Sequence, residues 1–260
     1  MKFKVVIPTY NAAEYLNLCL YSLKKYSAYE HEYLVILDDC KDHTVDICKK
    51  HQVEYCEVNF HNPYLTRNHG LQQIINKDED VYLFMTADDM FASPDWDVNV
   101  YAHLTQDKDV VWSSQLTDYL LLSTFEIEKQ EQPDLTIEEY AAWWAQHGIN
   151  MDFGECGKTA ATFNEEVFLQ KFRNLKSGDE YYNSERDGAK DVLCNTNFLI
   201  HNSFWQELNG WPELDIELDD ARLGNNDVIF QHNIIDLGGR NIVPKDVLFF
   251  HFGGRTIDRG

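Results

Sequence analysis

The chain alternates short apolar runs with segments whose apolar residues recur every three or four positions. Phe3–Pro8 (FKVVIP), Tyr33–Leu37 (YLVIL) and Val53–Val58 are rich in β-branched and aromatic residues and predict strands. Ala12–Tyr26 carries Tyr15, Leu16, Cys19, Leu20 and Leu23 at helical spacing, and Asp42–His51 and Leu65–Asn76 predict two further helices. A fourth strand, Val81–Phe84, follows. Strands and helices alternating at these distances predict an α/β fold with a mostly parallel central sheet flanked by helices.

Beyond Ser93 the pattern loosens. Asp95–Thr105 predicts a helix and Val110–Ser114 a strand, while 126–133 is polar and suits a solvated loop. Thr136 and Glu139 have capping-box spacing ahead of a helix carrying Tyr140, Trp143 and Trp144 and closed by Gly148. Those tryptophans suit core packing as well as stacking on a sugar. Residues 150–190 read as loop and short helix, and Val192–Ile200 as a returning strand. No internal repeat or low-complexity linker interrupts the chain, so one domain over 1–260 is expected.

Composition narrows the function. The 260 residues are 44% hydrophobic and 13% aromatic, enough for a packed core. A net charge of −22 opposes non-specific contact with nucleic acid or an anionic membrane, although a local basic pocket can still take a phosphate. Six cysteines without a CxxC pair argue against a structural zinc site or a dense disulfide framework. No apolar run has the length of a membrane span, and the first residues lack the apolar core of a signal peptide. A soluble, reduced, cytoplasmic protein is expected. Gly157-Lys158-Thr159 imitates the end of a P-loop, but the first glycine of that motif would fall at Asp152 and no apolar strand precedes it.

The candidate chemistry collects where strands end. Pro8-Thr9-Tyr10-Asn11 follows the first, Asp38-Asp39 the second, and Thr86-Ala87-Asp88-Asp89 the fourth. In an open α/β sheet, ligands bind beyond the carboxyl ends of the strands. Each group also serves as a turn, an Asx turn or a helix cap. Together, after three parallel strands, they describe a nucleotide pocket, with acceptors for base and ribose and a carboxylate for a metal-bridged diphosphate.

In this order and spacing, KVVIPTYN, LDDCKDHT, TRNHGL and LFMTADDMF resemble the amino-terminal half of family 2 glycosyltransferases with a GT-A fold. The likeness covers residues 3–95 and returns more weakly from about 195 to 256. It implies a Rossmann-like nucleotide-sugar half (1–95) and an acceptor half (96–260). It also implies a hexosyltransferase-type activity, transfer of sugar from a nucleotide donor, usually a UDP-sugar, to a saccharide or other hydroxyl acceptor. On that likeness Thr9 and Asp39, or its neighbour Asp38, hold the base, and Arg67 lines the nucleotide pocket. The family's Asp-x-Asp motif becomes Thr86-Ala87-Asp88. Asp88 keeps the metal-ligand position, while Thr86 leaves an uncharged hydroxyl where a carboxylate meets the ribose or the metal's water shell. Phe204–Leu214 resembles the segment leading to the acceptor side. Asn225-Asn226-Asp227 resembles the motif that opens a helix at the reaction centre, with Asp227 as the base that takes the acceptor's proton. Its local alternative is a helix first-turn acid. The acidic run Asp215, Glu217, Asp219 and Asp220 reads as solvated surface, with Asp219 or Asp220 as the next candidate base. His251 matches a histidine that completes the site of a divalent metal, Mn²⁺ or Mg²⁺.

Two other readings compete. A nucleotidyltransferase also uses a parallel sheet and carboxylate-bound metal, but calls for a glycine-rich basic loop after the first strand, which PTYN lacks. A catalytically silent nucleotide- or sugar-binding homologue accommodates both Thr86 and Asn226, which stands where the family's glutamate–aspartate motif has its glutamate. DNA as acceptor conflicts with the net charge.

Overall fold

The computed structural model describes residues 2–74, 80–117, 156–157, 159–174, 197–212, 223–244 and 246–252, with shorter pieces at 129, 132–136, 138–140, 142, 149–151 and 181–182. The first half runs β1 (Phe3–Thr9), α1 (Ala13–Lys25), β2 (Glu32–Asp38), α2 (Thr44–His51), β3 (Glu54–Val58), α3 (Pro63–Ile74) and β4 (Tyr82–Met85). Then come β5 (Met90–Ala92), α4 (Trp96–Ala102), β6 (Asp109–Trp112), β7 (Ser114–Thr117), β8 (Ile149–Met151), α5 (Glu165–Asn174) and β9 (Tyr181–Tyr182). The chain closes with β10 (Phe198–His201), α6 (Asn202–Leu208), α7 (Leu223–Asp236), β11 (Arg240–Ile242) and β12 (Leu248–His251).

Among the described residues, eight strands form one sheet in the order β3-β2-β1-β4-β10-β6-β11-β9. β3, β2, β1 and β4 are mutually parallel. Because β2 and β3 lie on one side of β1 and β4 on the other, the strand order reverses at β1 and opens a crevice at its carboxyl end. The apolar residues alternate across this sheet as the strand period requires. Val5, Ile7, Val35 and Phe84 face α1, α2 and α4, while Val6, Ile36, Leu83 and Met85 face α3, α6 and α7. Gly70 lets α3 lie close to the sheet, since a Cβ there would stand 2.6 Å from Ile36 and 2.7 Å from Val6.

Pro8 sits inside a central strand at little cost. The Val6 carbonyl accepts the Thr86 N–H, so the nitrogen of Pro8, two residues on, turns to the side where β4 has already ended.

The first four strands and three helices lie where the hydrophobic pattern places them. The second half adds features the pattern did not disclose. β10 enters the sheet antiparallel between β4 and β6. The expected strand 110–114 is divided at Ser113: β6 stays in the large sheet, while β7 joins a second sheet of order β5-β12-β7-β8. Thr136 and Glu139 form the expected reciprocal cap, each reaching the other's backbone N–H (3.0 and 3.2 Å). Trp143, Trp144 and Gly148 lie outside the described residues. Gly157 sits in a tight turn at φ 95° ahead of α5. No helix among the described residues is long and apolar enough to cross a membrane.

The α1–β2 connection is held by one buried carboxylate. Asp97 accepts the N–H groups of Ala28 and Tyr29 (both 3.0 Å) and pairs with His31 Nε2 at 2.9 Å. Burial pushes its carboxyl up, and the His31 imidazole with the two N–H donors outweighs that, leaving it below the ordinary aspartate value. A carboxyl lowered by folding stabilises above its unfolded value of about 3.9 and stops doing so as pH falls through its folded value. Asp97→Asn is therefore expected to lose about 2–3 kcal/mol at pH 7 in urea unfolding. The gap from wild type should narrow below about pH 4, and a gap unchanged from pH 7 to pH 3 would refute the assignment.

Candidate active site

The site is built from the ends of β2, β1 and β4, which the parallel register brings side by side. Two of the turns require unusual backbone. Asn11 and Asp39 both adopt left-handed φ (49° and 54°), a conformation that Asn and Asp tolerate better than other side-chain-bearing residues. The turns are tied together. Asn11 Oδ1 accepts the Lys41 N–H at 2.7 Å, and Cys40 Sγ contacts the Asn11 nitrogen and the Thr9 carbonyl at 3.4 and 3.5 Å. Asp42 accepts the N–H of Ala13 at the start of α1 and that of Thr44 at the start of α2 (3.0 and 3.1 Å), so one carboxylate caps both helices. Thr9 is buried, and its hydroxyl has no hydrogen-bond partner. Pro8 and Tyr10 are half-buried beside it.

The two residues of the first acidic pair have different surroundings. Asp38 is buried, and accepts the N–H groups of Phe60, His61 and Asn62 (2.8, 3.0 and 3.2 Å) and the Thr66 hydroxyl (2.8 Å). Its acceptor sites are occupied in holding the loop that enters α3, so it is not placed to hold a base. Asp39 stands at the open edge, 24% exposed, with Lys41 Nζ 2.5 Å from Oδ1 and His61 Nε2 3.6 Å from Oδ2. Lys41 holds its carboxyl below the ordinary range, against a small upward push from desolvation.

At the end of β4, Thr86 is fully buried. Its hydroxyl donates to Asn197 Oδ1 at 3.0 Å, and the same oxygen receives the Ala87 N–H at 3.2 Å. The expected open hydroxyl at this position is thus turned into the sheet, toward β10. Ala87 is held by Cys19, whose thiol meets its carbonyl at 3.5 Å. Asp88 is half-buried, and its charge acts on Cys19, Cys40 and His251. Burial first, and Asp88 and Asp89 after it, push the Cys19 thiol well up, so it stays protonated.

His251 arrives from the far end of the chain. β12 pairs antiparallel with β5, setting His251 opposite Met90, and the Phe252 N–H closes on the Asp89 carbonyl at 3.1 Å. The imidazole Nε2 lies 3.3 Å from Asp89 Oδ2, so Asp89 rather than Asp88 is its immediate partner. Burial lowers the affinity of His251 for a proton, and Asp89 followed by Asp88 more than reverses this, raising its pKa. Among the described residues no group of three or more His, Cys, Asp or Glu side chains is assembled to hold a metal ion.

Arg67, one turn into α3, stacks on Tyr64 and Trp211 (5.4 and 5.1 Å to the ring centroids). Asn68 clamps Trp211 through both backbone groups (2.9 and 2.8 Å), and Trp211 stacks on Phe230 of α7 at 4.4 Å and 10°. Asp227 belongs to the same helix, three residues before Phe230; its side chain lies outside the described residues, as do residues 215–220. A larger cleft, about 670 Å³, opens at the opposite edge of the sheet, where Glu30, Glu32 and Glu54 surround the amino ends of β2 and β3. Three carboxylates suit a diphosphate poorly, and the switch-point edge is the better candidate.

The model of glycosyl transferase family 2 matches residues 4–204. The chain belongs to this family. No curated protein matches it. Among solved structures, residues 1–349 of S. aureus TarS in complex with UDP align with a TM-score of 0.59 at 16% identity, covering 96% of this chain and 60% of that one. The mannosyltransferase PcManGT from Pyrobaculum calidifontis, in complex with GDP-Man and Mn²⁺, aligns at 0.60 and 14%, covering 99% and 58%. GalNAc-T7 with UDP, GalNAc and Mn²⁺ gives 0.57 and 14%, covering 96% and 44%. The family 2 chain spans 36% of the longer TarS chain it matches. These likenesses establish the GT-A fold.

Several residues that shape this family 2 site were not singled out by sequence reasoning. Lys41, His61, Tyr64, Asn68, Asn197 and Trp211 all touch it or its supports. Asn68 carried a signal, being adjacent to Arg67 in TRNHGL; Asn197 carried none. The clamp at Asp38 can be tested directly. Asp38→Asn presents an amide nitrogen to backbone donors and is expected to cost about 3 kcal/mol in urea unfolding. Amide exchange should accelerate first at Phe60, His61 and Asn62; unchanged exchange there would refute the clamp.

Proposed function

We propose that this chain transfers a sugar from a nucleoside-diphosphate donor, with uridine diphosphate as carrier, to an acceptor hydroxyl with inversion at the anomeric carbon. The observation that carries the reading is the switch-point edge itself, where Thr9, Asp39 and Asp88 stand at the ends of neighbouring parallel strands. Asp39 accepts from the base. Thr9 closes β1 beside it, and the guanidinium of Arg67, stacked on Trp211, would meet the diphosphate. UDP and GDP-Man in the aligned structures support a nucleotide sugar as donor.

Asp88 and His251 would hold a divalent cation, with Asp89 orienting the imidazole from 3.3 Å. Carboxylate oxygens with one imidazole suit Mn²⁺, and Mg²⁺ when waters fill the remaining positions. A set this small fits an ion that keeps waters and takes diphosphate oxygens, rather than one enclosed by protein. When bound, the cation supplies countercharge to the departing diphosphate.

Asp227 takes the proton from the acceptor hydroxyl as that oxygen bonds to the anomeric carbon and the bond to the diphosphate breaks. One displacement without a carboxylate nucleophile inverts the centre. The stack from Arg67 through Trp211 to Phe230 supports this role, because it docks the helix of Asp227 beside the donor pocket. One observation favours a second reading, a binding protein without turnover: Thr86 is neutral and pinned to Asn197. Release of free sugar from a UDP-sugar without acceptor would decide against it.

A thermal-shift series of nucleoside diphosphates with and without Mn²⁺ is expected to show UDP stabilising the protein, more so with Mn²⁺. Asp88→Asn should remove the Mn²⁺ increment; an increment that persists sinks the metal assignment. Asp227→Asn is expected to lower turnover by about 10²- to 10⁴-fold with UDP binding intact. Near wild-type turnover would exclude Asp227 as base.

A further inference from the structure

We infer that Lys41 and His61 are specificity-determining residues which, flanking Asp39, make the site read the imide edge of a uracil base. The inference rests on the donor reading above and names what selects the donor. Each oxygen of the Asp39 carboxylate has its own neighbour: Lys41 Nζ beside Oδ1 at 2.5 Å and His61 Nε2 beside Oδ2 at 3.6 Å. With the His61 proton on Nε2, the nitrogen that faces Asp39, the edge presents donor, acceptor, donor in sequence. A uracil imide presents the complement, carbonyl, N–H, carbonyl. Cytosine places a ring acceptor and an amino group there, and so opposes the carboxylate with a lone pair and one flanking donor with another donor. Guanine satisfies the carboxylate and one flank, but turns its amino group toward the other. A site whose polar groups are left unpaired by the wrong partner discriminates strongly.

The array is held in place before any ligand arrives. The Asp39 N–H is bonded to the Val58 carbonyl at 2.8 Å, the Lys41 N–H to Asn11 at 2.7 Å, and the His61 N–H to Asp38 at 3.0 Å. Asp39 and His61 both occupy left-handed backbone (φ 54° and 49°), which aims two consecutive loops at one point. Asp39 and Lys41 also border a cleft of about 370 Å³ that runs between Val45, Glu57, Val58 and Asn59, with His61 outside its lining.

The test is calorimetric titration of the wild-type chain with UDP, CDP, GDP and 3-methyl-UDP, in which the imide N–H is blocked, each with Mn²⁺. The titration is repeated on Lys41→Met and His61→Leu. Both side chains are more than half exposed (74% and 56%), so the variants are expected to keep the wild-type melting midpoint. UDP should bind at least about tenfold tighter than the other three. Each variant should weaken UDP by about three- to tenfold and narrow its lead over GDP and CDP. GDP or 3-methyl-UDP binding as tightly as UDP would overturn the imide reading and leave the nucleotide site standing. A UDP preference unchanged in both variants would overturn the assignment to Lys41 and His61. Absence of binding by all four would remove the donor reading itself.

Discussion

Everything at this site depends on three neighbouring strands running the same way. β2, β1 and β4 are parallel, so their carboxyl ends fall on one edge, and the reversal of strand order at β1 separates the flanking loops. Residues far apart in sequence, Thr9, Asp39 and Asp88, become neighbours by that constraint alone. The helices then lie on the two faces, and α1 and α2 share a single cap at Asp42 beside the same edge.

The ends of β2 and β4 each lead into paired acids, and each pair is divided between two tasks. Both pairs stand where the strand gives way to a turn, and there one member packs inward while the other meets the crevice. Asp38 faces inward and holds the β3–α3 loop with four hydrogen bonds, leaving Asp39 at the edge. In the second pair, Asp89 is buried against His251, while Asp88, next to it, is half-buried. Protein scaffold and ligand chemistry are thus assigned to adjacent positions of one sequence motif.

The first four strands and their helices were legible because they bury apolar faces whose period is visible locally. Val5–Ile7 and Tyr33–Leu37 are continuous apolar runs, and α1 repeats leucines at helical spacing. The strand Met90–Ala92 was not legible, because three residues have no period and its partner, β12, lies near the other end of the chain. The division of β6 from β7 at Ser113 was hidden for the same reason: each half answers to a different sheet. Among the candidate site residues, Asp39 and Asp88 could be placed at their strand ends from the sequence. The choice between Asp38 and Asp39 could not, since it depends on three N–H groups some twenty residues further on. Thr86 was expected to face a ligand, and its true partner, Asn197, sits beside a strand that enters antiparallel from the second half.

The hydroxyl of Thr9 has a consequence for the economy of the fold. A buried polar atom with no partner is a standing penalty, and valine, nearly the same shape, would spare it. The chain therefore holds in reserve a small part of the stability its core could reach, at the one strand end where an incoming group could satisfy that atom. Selection for a more heat-resistant variant would find this position among six such buried atoms of the described residues, and the gain here would fall at the strand end that borders the crevice.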